Sequence, residues 1–136
     1  MGTKVKKQKS GETKSKNIFL GIVLILSAYS PTDYYEYGSD YHKSNREVMR
    51  FDLRKVRESD VMLVNLKDIR KSVGSCDEIF YAYILGKPII GFIEDDIDGE
   101  ELINYVHEWK YEQIDRIETG ENALETACEY IKDYYF

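Results

Sequence analysis

Three short apolar runs limit what this chain can fold into: residues 18–26 (IFLGIVLIL), 61–66 (VMLVNL) and 89–93 (IIGFI). Each is strand-length and almost continuously apolar, the pattern of a strand buried on both faces. Helical stretches lie between and after them. Ser44-Asn45-Arg46-Glu47 has the form of a capping box and predicts a helix to about Glu58. Ser75-Cys76-Asp77-Glu78 is a second S-x-x-E box, predicting a helix that ends at Gly86. A third helix is expected over 98–107, a weaker strand over 113–117, and a last amphipathic helix over 120–134 with Ala123, Leu124, Ala127 and Ile131 on one face. Strand and helix thus alternate four times, which argues for an α/β parallel sheet covered on both faces. In such sheets ligands bind beyond the carboxyl ends of the strands, so the loops that matter follow Leu26, Leu66, Ile93 and Ile117.

The chain has 136 residues, room for one compact domain, and a net charge of -6 that is unevenly spread. Residues 1–17 hold six lysines and one glutamate, +5; the remaining 13 basic and 24 acidic residues give -11. We expect 1–17 to be a solvated basic tail and 18–136 to be the folded domain. A body this acidic is unsuited to gripping nucleic-acid phosphates. The lysine-rich start before residues 18–26 resembles the opening of a signal peptide, but the run is shorter than the about 20 residues a membrane span needs. Read as a strand, it leaves a cytoplasmic protein as the expectation. Cys76 and Cys128 form neither a disulfide framework nor a zinc set, and no cofactor is expected.

Several residues suggest chemistry. Asp52 lies four after Val48 and four before Val56, on the apolar stripe those residues form with Met49 and Leu53. A carboxylate there is either functional or an edge residue with a local arginine partner. Glu78 follows the small loop Ser72-Val73-Gly74-Ser75, at the expected junction of strand and helix. Helix-start amides favour an ionised carboxylate in the first turn, the state a glycosyl-transferring nucleophile needs. The competing reading makes Glu78 only the capping-box residue of Ser75. Twelve tyrosines are present, and Tyr29, Tyr34, Tyr35 and Tyr37 follow the first apolar run, where they would stack on a base or pack at an interface. Asn65, at the end of its strand, either faces a ligand or is structural.

These residues fall in a pattern that resembles one family. Ser59-Asp60-Val61-Met62-Leu63-Val64-Asn65-Leu66, then Ser72-Val73-Gly74-Ser75-Cys76-Asp77-Glu78-Ile79-Phe80-Tyr81-Ala82-Tyr83, then Gly86-Lys87-Pro88-Ile89-Ile90 is similar to the core of the nucleoside 2-deoxyribosyltransferases over roughly residues 28–135. The resemblance implies a flavodoxin-like three-layer sandwich and a homodimer or larger oligomer that completes its sites across subunits. It also implies a nucleoside or nucleotide substrate, and at times a free nucleobase. It makes Glu78 the nucleophile and Asp52 the proton donor, with Ser72, Gly74, Ser75, Asn65, Tyr29 and Tyr34 around the substrate. Transferases of the family often have Asp where this chain has Ser72, and relatives that hydrolyse nucleoside 5′-monophosphates have Ser, so Ser72 points to a phosphorylated substrate. The family also opens with two strands before the helix of Asp52. Only one is evident here, and its end, Ser30-Pro31-Thr32-Asp33-Tyr34-Tyr35, resembles the second, so the first unit is expected to be fused, shortened or absent. A non-catalytic nucleotide-binding module and a protein-interaction domain are the alternatives.

Overall fold

The computed structural model describes residues 18–20 and 42–135, with backbone alone for 18–20. The expected tail over 1–17, the rest of the first apolar run and the tyrosine loop with Tyr29 and Tyr34 lie outside the described residues. The elements are β1 (Ile18–Leu20), α1 (Asn45–Glu58), β2 (Val61–Asn65), a 3-10 turn (Ile69–Lys71), α2 (Val73–Ile84), β3 (Ile89–Ile93), α3 (Gly99–Val106), α4 (Glu108–Gln113), β4 (Arg116–Thr119) and α5 (Ala123–Tyr135). The strands form one parallel sheet in the order β1-β2-β3-β4. Ile18 lies opposite Val61, Met62 opposite Ile89 and Ile90 opposite Arg116.

The alternation of side chains along the strands splits the core in two. Met62, Val64, Ile89 and Ile93 pack with Val56 of α1, Ile79 and Ala82 of α2, and Leu102 and Val106 of α3. Val61, Leu63, Ile90 and Phe92 pack on the other face against Ala123, Ala127, Cys128 and Ile131 of α5. The result is the expected flavodoxin-like three-layer sandwich. Gly91 is fitted to its place, because a Cβ there would lie 2.6 Å from Leu66 Cδ1. Beside it, the Asp115 carboxylate accepts the Ile89 N–H at 2.8 Å and fixes the entry to β3.

The structure revises several boundaries. In the flavodoxin-like strand order 2-1-3-4-5 the first strand lies beside the third. Ile18–Leu20, parallel to Val61–Leu63, occupies that first-strand place. Of the first unit, expected to be fused, shortened or absent, the described residues show this strand, and the rest of the run lies outside them. The expected helix over 98–107 continues as two, because His107 sits at φ 93° and its Nδ1 accepts the Trp109 N–H at 3.1 Å, starting α4. The fourth strand begins at Arg116 rather than 113 and the last helix at Ala123 rather than 120. No described helix is long and apolar enough to cross a membrane.

Candidate active site

The loop leaving β2 determines how α2 presents its side chains. Asn65 closes an Asx-type turn, its Oδ1 accepting the Lys67 N–H at 3.0 Å. Asp68 then adopts a left-handed conformation (φ 56°), and its N–H donates to Tyr105 Oη at 2.9 Å. Arg70 donates to the Asn104 carbonyl at 2.6 Å (Nη2) and the Tyr105 carbonyl at 3.2 Å (Nε), holding the loop against the end of α3. Ser72 follows as the N-cap of α2, its Oγ accepting the Ser75 N–H at 3.4 Å.

This geometry overturns the capping-box reading of Glu78. The helix starts at Val73, not at Ser75, so Glu78 lies in its second turn and does not reach back to the Ser75 amide as a cap. It is buried instead, 8% exposed, beside Asp52 at 9%. A pocket of about 220 Å³ brings the two together; Asn45, Val48, Met49, Asp52 and Leu53 of α1 line one side, and Gly74, Asp77 and Glu78 of α2 the other. Its lining includes Gly74 in the first turn of α2, the helix that follows the carboxyl end of β2, the side on which a parallel sheet places its ligands. The apolar stripe of α1 is divided by it. Val56 enters the core, whereas Val48, Met49 and Leu53 become the pocket's apolar wall, and Met49 is 48% exposed. Arg54 and Lys55, two and three residues after Asp52, pair with Glu58.

Burial, reinforced by the negative charges of Asp52 and Asp77, pushes the Glu78 carboxyl up to about 8. The sequence had suggested the opposite direction. The helix dipole acts within the first turn, and Glu78 lies beyond it, so desolvation prevails. Of the residues expected at the site, the pocket unites Asp52, Gly74 and Glu78. Ser72, Ser75 and Asn65 lie outside its lining, Ser72 engaged as a cap and Asn65 in its turn. Asn45, Leu53 and Asp77 were not assigned to the site from sequence. Their positions seven residues and one residue from Asp52, and one residue from Glu78, were the available signal. Among the described residues there is no cluster of three or more His, Cys, Asp or Glu able to hold a metal.

The profile of the family described as nucleoside 2-deoxyribosyltransferase matches residues 6–117. The chain belongs to the nucleoside 2-deoxyribosyltransferase family. The match begins within the lysine-rich start, further towards the N-terminus than the sequence motifs alone indicated. Among solved structures, the 2-desoxiribosyltransferase from Leishmania mexicana is similar in fold at 14% identity and a TM-score of 0.58, over 89% of this chain and 99% of that one. A conserved protein from Enterococcus faecalis is similar at 15% identity and a TM-score of 0.62, over 85% of this chain and 98% of that one. No curated protein matches the sequence. These two solved structures share the fold described above.

Proposed function

We propose that the protein cleaves or exchanges the N-glycosidic bond of a 2′-deoxynucleoside or its 5′-monophosphate through a glycosyl ester on Glu78. The observation that carries this reading is the pair of nine-tenths-buried carboxylates, Asp52 and Glu78, on two helices bordering one pocket. With its carboxyl raised to about 8, Glu78 holds the proton at neutral pH, so the chemistry requires that proton to pass to Asp52 before Glu78 can attack. With the proton on Asp52, the ionised Glu78 attacks the anomeric carbon, and the bond from that carbon to the base nitrogen breaks. The bonding pair leaves with the base, which takes the Asp52 proton. In the second step the Asp52 carboxylate accepts a proton from water or from an incoming base as that group attacks the anomeric carbon and Glu78 departs. The configuration at the anomeric carbon is retained, as in two-carboxylate glycosidases of the covalent type.

The apolar wall of Val48, Met49 and Leu53 suits the faces of a nucleobase. Tyr29 and Tyr34 remain assigned to the substrate by the family resemblance, as do Ser72, Ser75 and Asn65. The free thiols of Cys76 and Cys128 suit a reducing, cytoplasmic setting. Association with further copies of the chain is supported by exposed apolar residues: Val73, Phe80 and Ile84 recur on one side of α2, with Tyr83 beside them.

Chromatography of the protein incubated with deoxynucleosides and their monophosphates, with and without a free acceptor base, tests the reading. Free base or an exchanged nucleoside is expected, and Glu78→Ala reduces either by at least about a thousandfold. Full turnover by a folded Glu78→Ala protein contradicts it. The high pKa of Glu78 favours a second reading, a nucleotide-binding module without turnover. Calorimetry showing saturable binding and no product would select that one.

A further inference from the structure

We propose that Asn45 reads the far edge of the nucleobase, hydrogen-bonding the exocyclic carbonyl or amino group that lies across the ring from the atom protonated by Asp52. The inference rests on the glycosidic reading above and names a specificity-determining residue of that site. Among the described residues lining the pocket, Asn45 is the one uncharged polar side chain; the other polar members are the acids Asp52, Asp77 and Glu78.

The place of Asn45 in α1 has no local explanation. Asparagine is a common N-cap, but Ser44 holds that position, its Oγ accepting the Glu47 N–H at 3.3 Å. Asn45 is the first residue inside the helix, and among the described residues nothing is hydrogen-bonded to its side-chain amide. Its donor and its acceptor are both left for a ligand.

The spacing to Asp52 matches a base. Seven residues are nearly two turns, so the two side chains leave α1 on one face, and at a rise of about 1.5 Å per residue they stand about 10 Å apart along it. Asparagine and aspartate are equal in length, so neither reaches further from the helix than the other. Val48 and Met49, three and four residues after Asn45, form the apolar surface between them. A ring lying on that surface with a hydrogen bond of about 3 Å at each end leaves about 4 Å between its two bonded atoms. That is the span of one six-membered ring, from an atom beside the glycosidic nitrogen to a substituent on the far side. Because an amide both donates and accepts, Asn45 takes a carbonyl or an amino group there, and reads the presence of the group rather than which of the two it is.

The test compares wild type and Asn45→Ala on two pairs of substrates: deoxyinosine with the 2′-deoxyriboside of unsubstituted purine, and deoxyuridine with that of pyrimidin-2-one. The second member of each pair lacks the far-side group. Taking the ratio of variant to wild type for each substrate cancels the intrinsic lability of its glycosidic bond. Asn45→Ala is expected to lower kcat/KM about tenfold on the substituted member of whichever pair is turned over, and to leave the unsubstituted member within about twofold. Alanine favours a helix and Ser44 keeps the cap, so the variant retains the fold. Equal losses on both members, as a purely structural role would give, overturn the proposal and leave the glycosidic reading intact. No loss on either, or wild-type turnover of the unsubstituted members alone, does the same. Absence of turnover with every substrate removes the glycosidic reading. The comparison is then made with dissociation constants from calorimetry, where equal losses, no loss, or binding of no substrate overturns the proposal as well.

Discussion

Glu78 costs the fold stability when it is charged, and the cost has a definite direction with pH. Its carboxyl is raised from 4.5 to about 8, first by burial and then by Asp52 and Asp77. Between those values the folded protein holds a proton that the unfolded chain has released. This contribution to stability is therefore fully present below about pH 4.5 and is lost as pH rises through about 8. Glu78→Gln removes the dependence. Relative to the wild type it should be nearly neutral in urea melts at pH 4.5 and stabilising by a few kcal/mol (order of magnitude) above pH 8. A difference in stability that does not change with pH would contradict the assignment.

Gly74 carries the complementary argument. It occupies the first turn of α2, a Cβ there would meet nothing within 4 Å, and it lines the pocket. The fold does not need glycine here, and alanine would favour the helix by up to about 1 kcal/mol. Gly74→Ala should raise the melting temperature and at the same time raise KM, because the methyl group occupies space meant for the substrate. Unchanged KM would separate Gly74 from binding. At this scale the sequence was informative about Asp52, whose period placed a carboxylate on an apolar stripe. It was not informative about Asp77, because a charged residue beside another on a helix is ordinarily a solvated one.

At the scale of elements, α2 shows why the sequence left two registers open. Ser72 and Ser75 are both good N-caps, and Ser75-x-x-Glu78 is the better local motif. The choice is made by tertiary contacts: Tyr105 Oη accepts the Asp68 N–H and Arg70 grips the end of α3, which delivers Ser72 to the cap position. Ser72→Ala should therefore cost the ligand-free protein about 1 kcal/mol in chemical denaturation. No loss would mean that its hydroxyl is not a cap. Continuous apolar runs made β2 and β3 legible in advance, and a helical apolar period did the same for α5. The break at His107 was not, because a histidine at positive φ has no signature in sequence and is imposed by the packing of α3 and α4 around it.

For the whole molecule, the three-layer arrangement could be read from the spacing of apolar runs, whereas the exposed apolar side of α2 could not. Phe80 and Ile84 are large apolar residues, yet they are 49% and 61% exposed. If that side joins copies of the chain, sedimentation should show a dimer or larger species, and Phe80→Glu with Ile84→Glu should give a folded monomer. A wild-type protein that remains monomeric at high concentration would reject the interface.

The central claim is that Glu78 becomes covalently joined to the sugar. Intact-protein mass spectrometry after acid quenching of a reaction with deoxynucleoside tests it most directly. The account predicts a mass increase of one deoxyribosyl group, or deoxyribosyl phosphate for a monophosphate, mapped to the peptide containing Glu78 and absent from Glu78→Ala. Rapid release of free base by that variant, with no adduct in either protein, would contradict it.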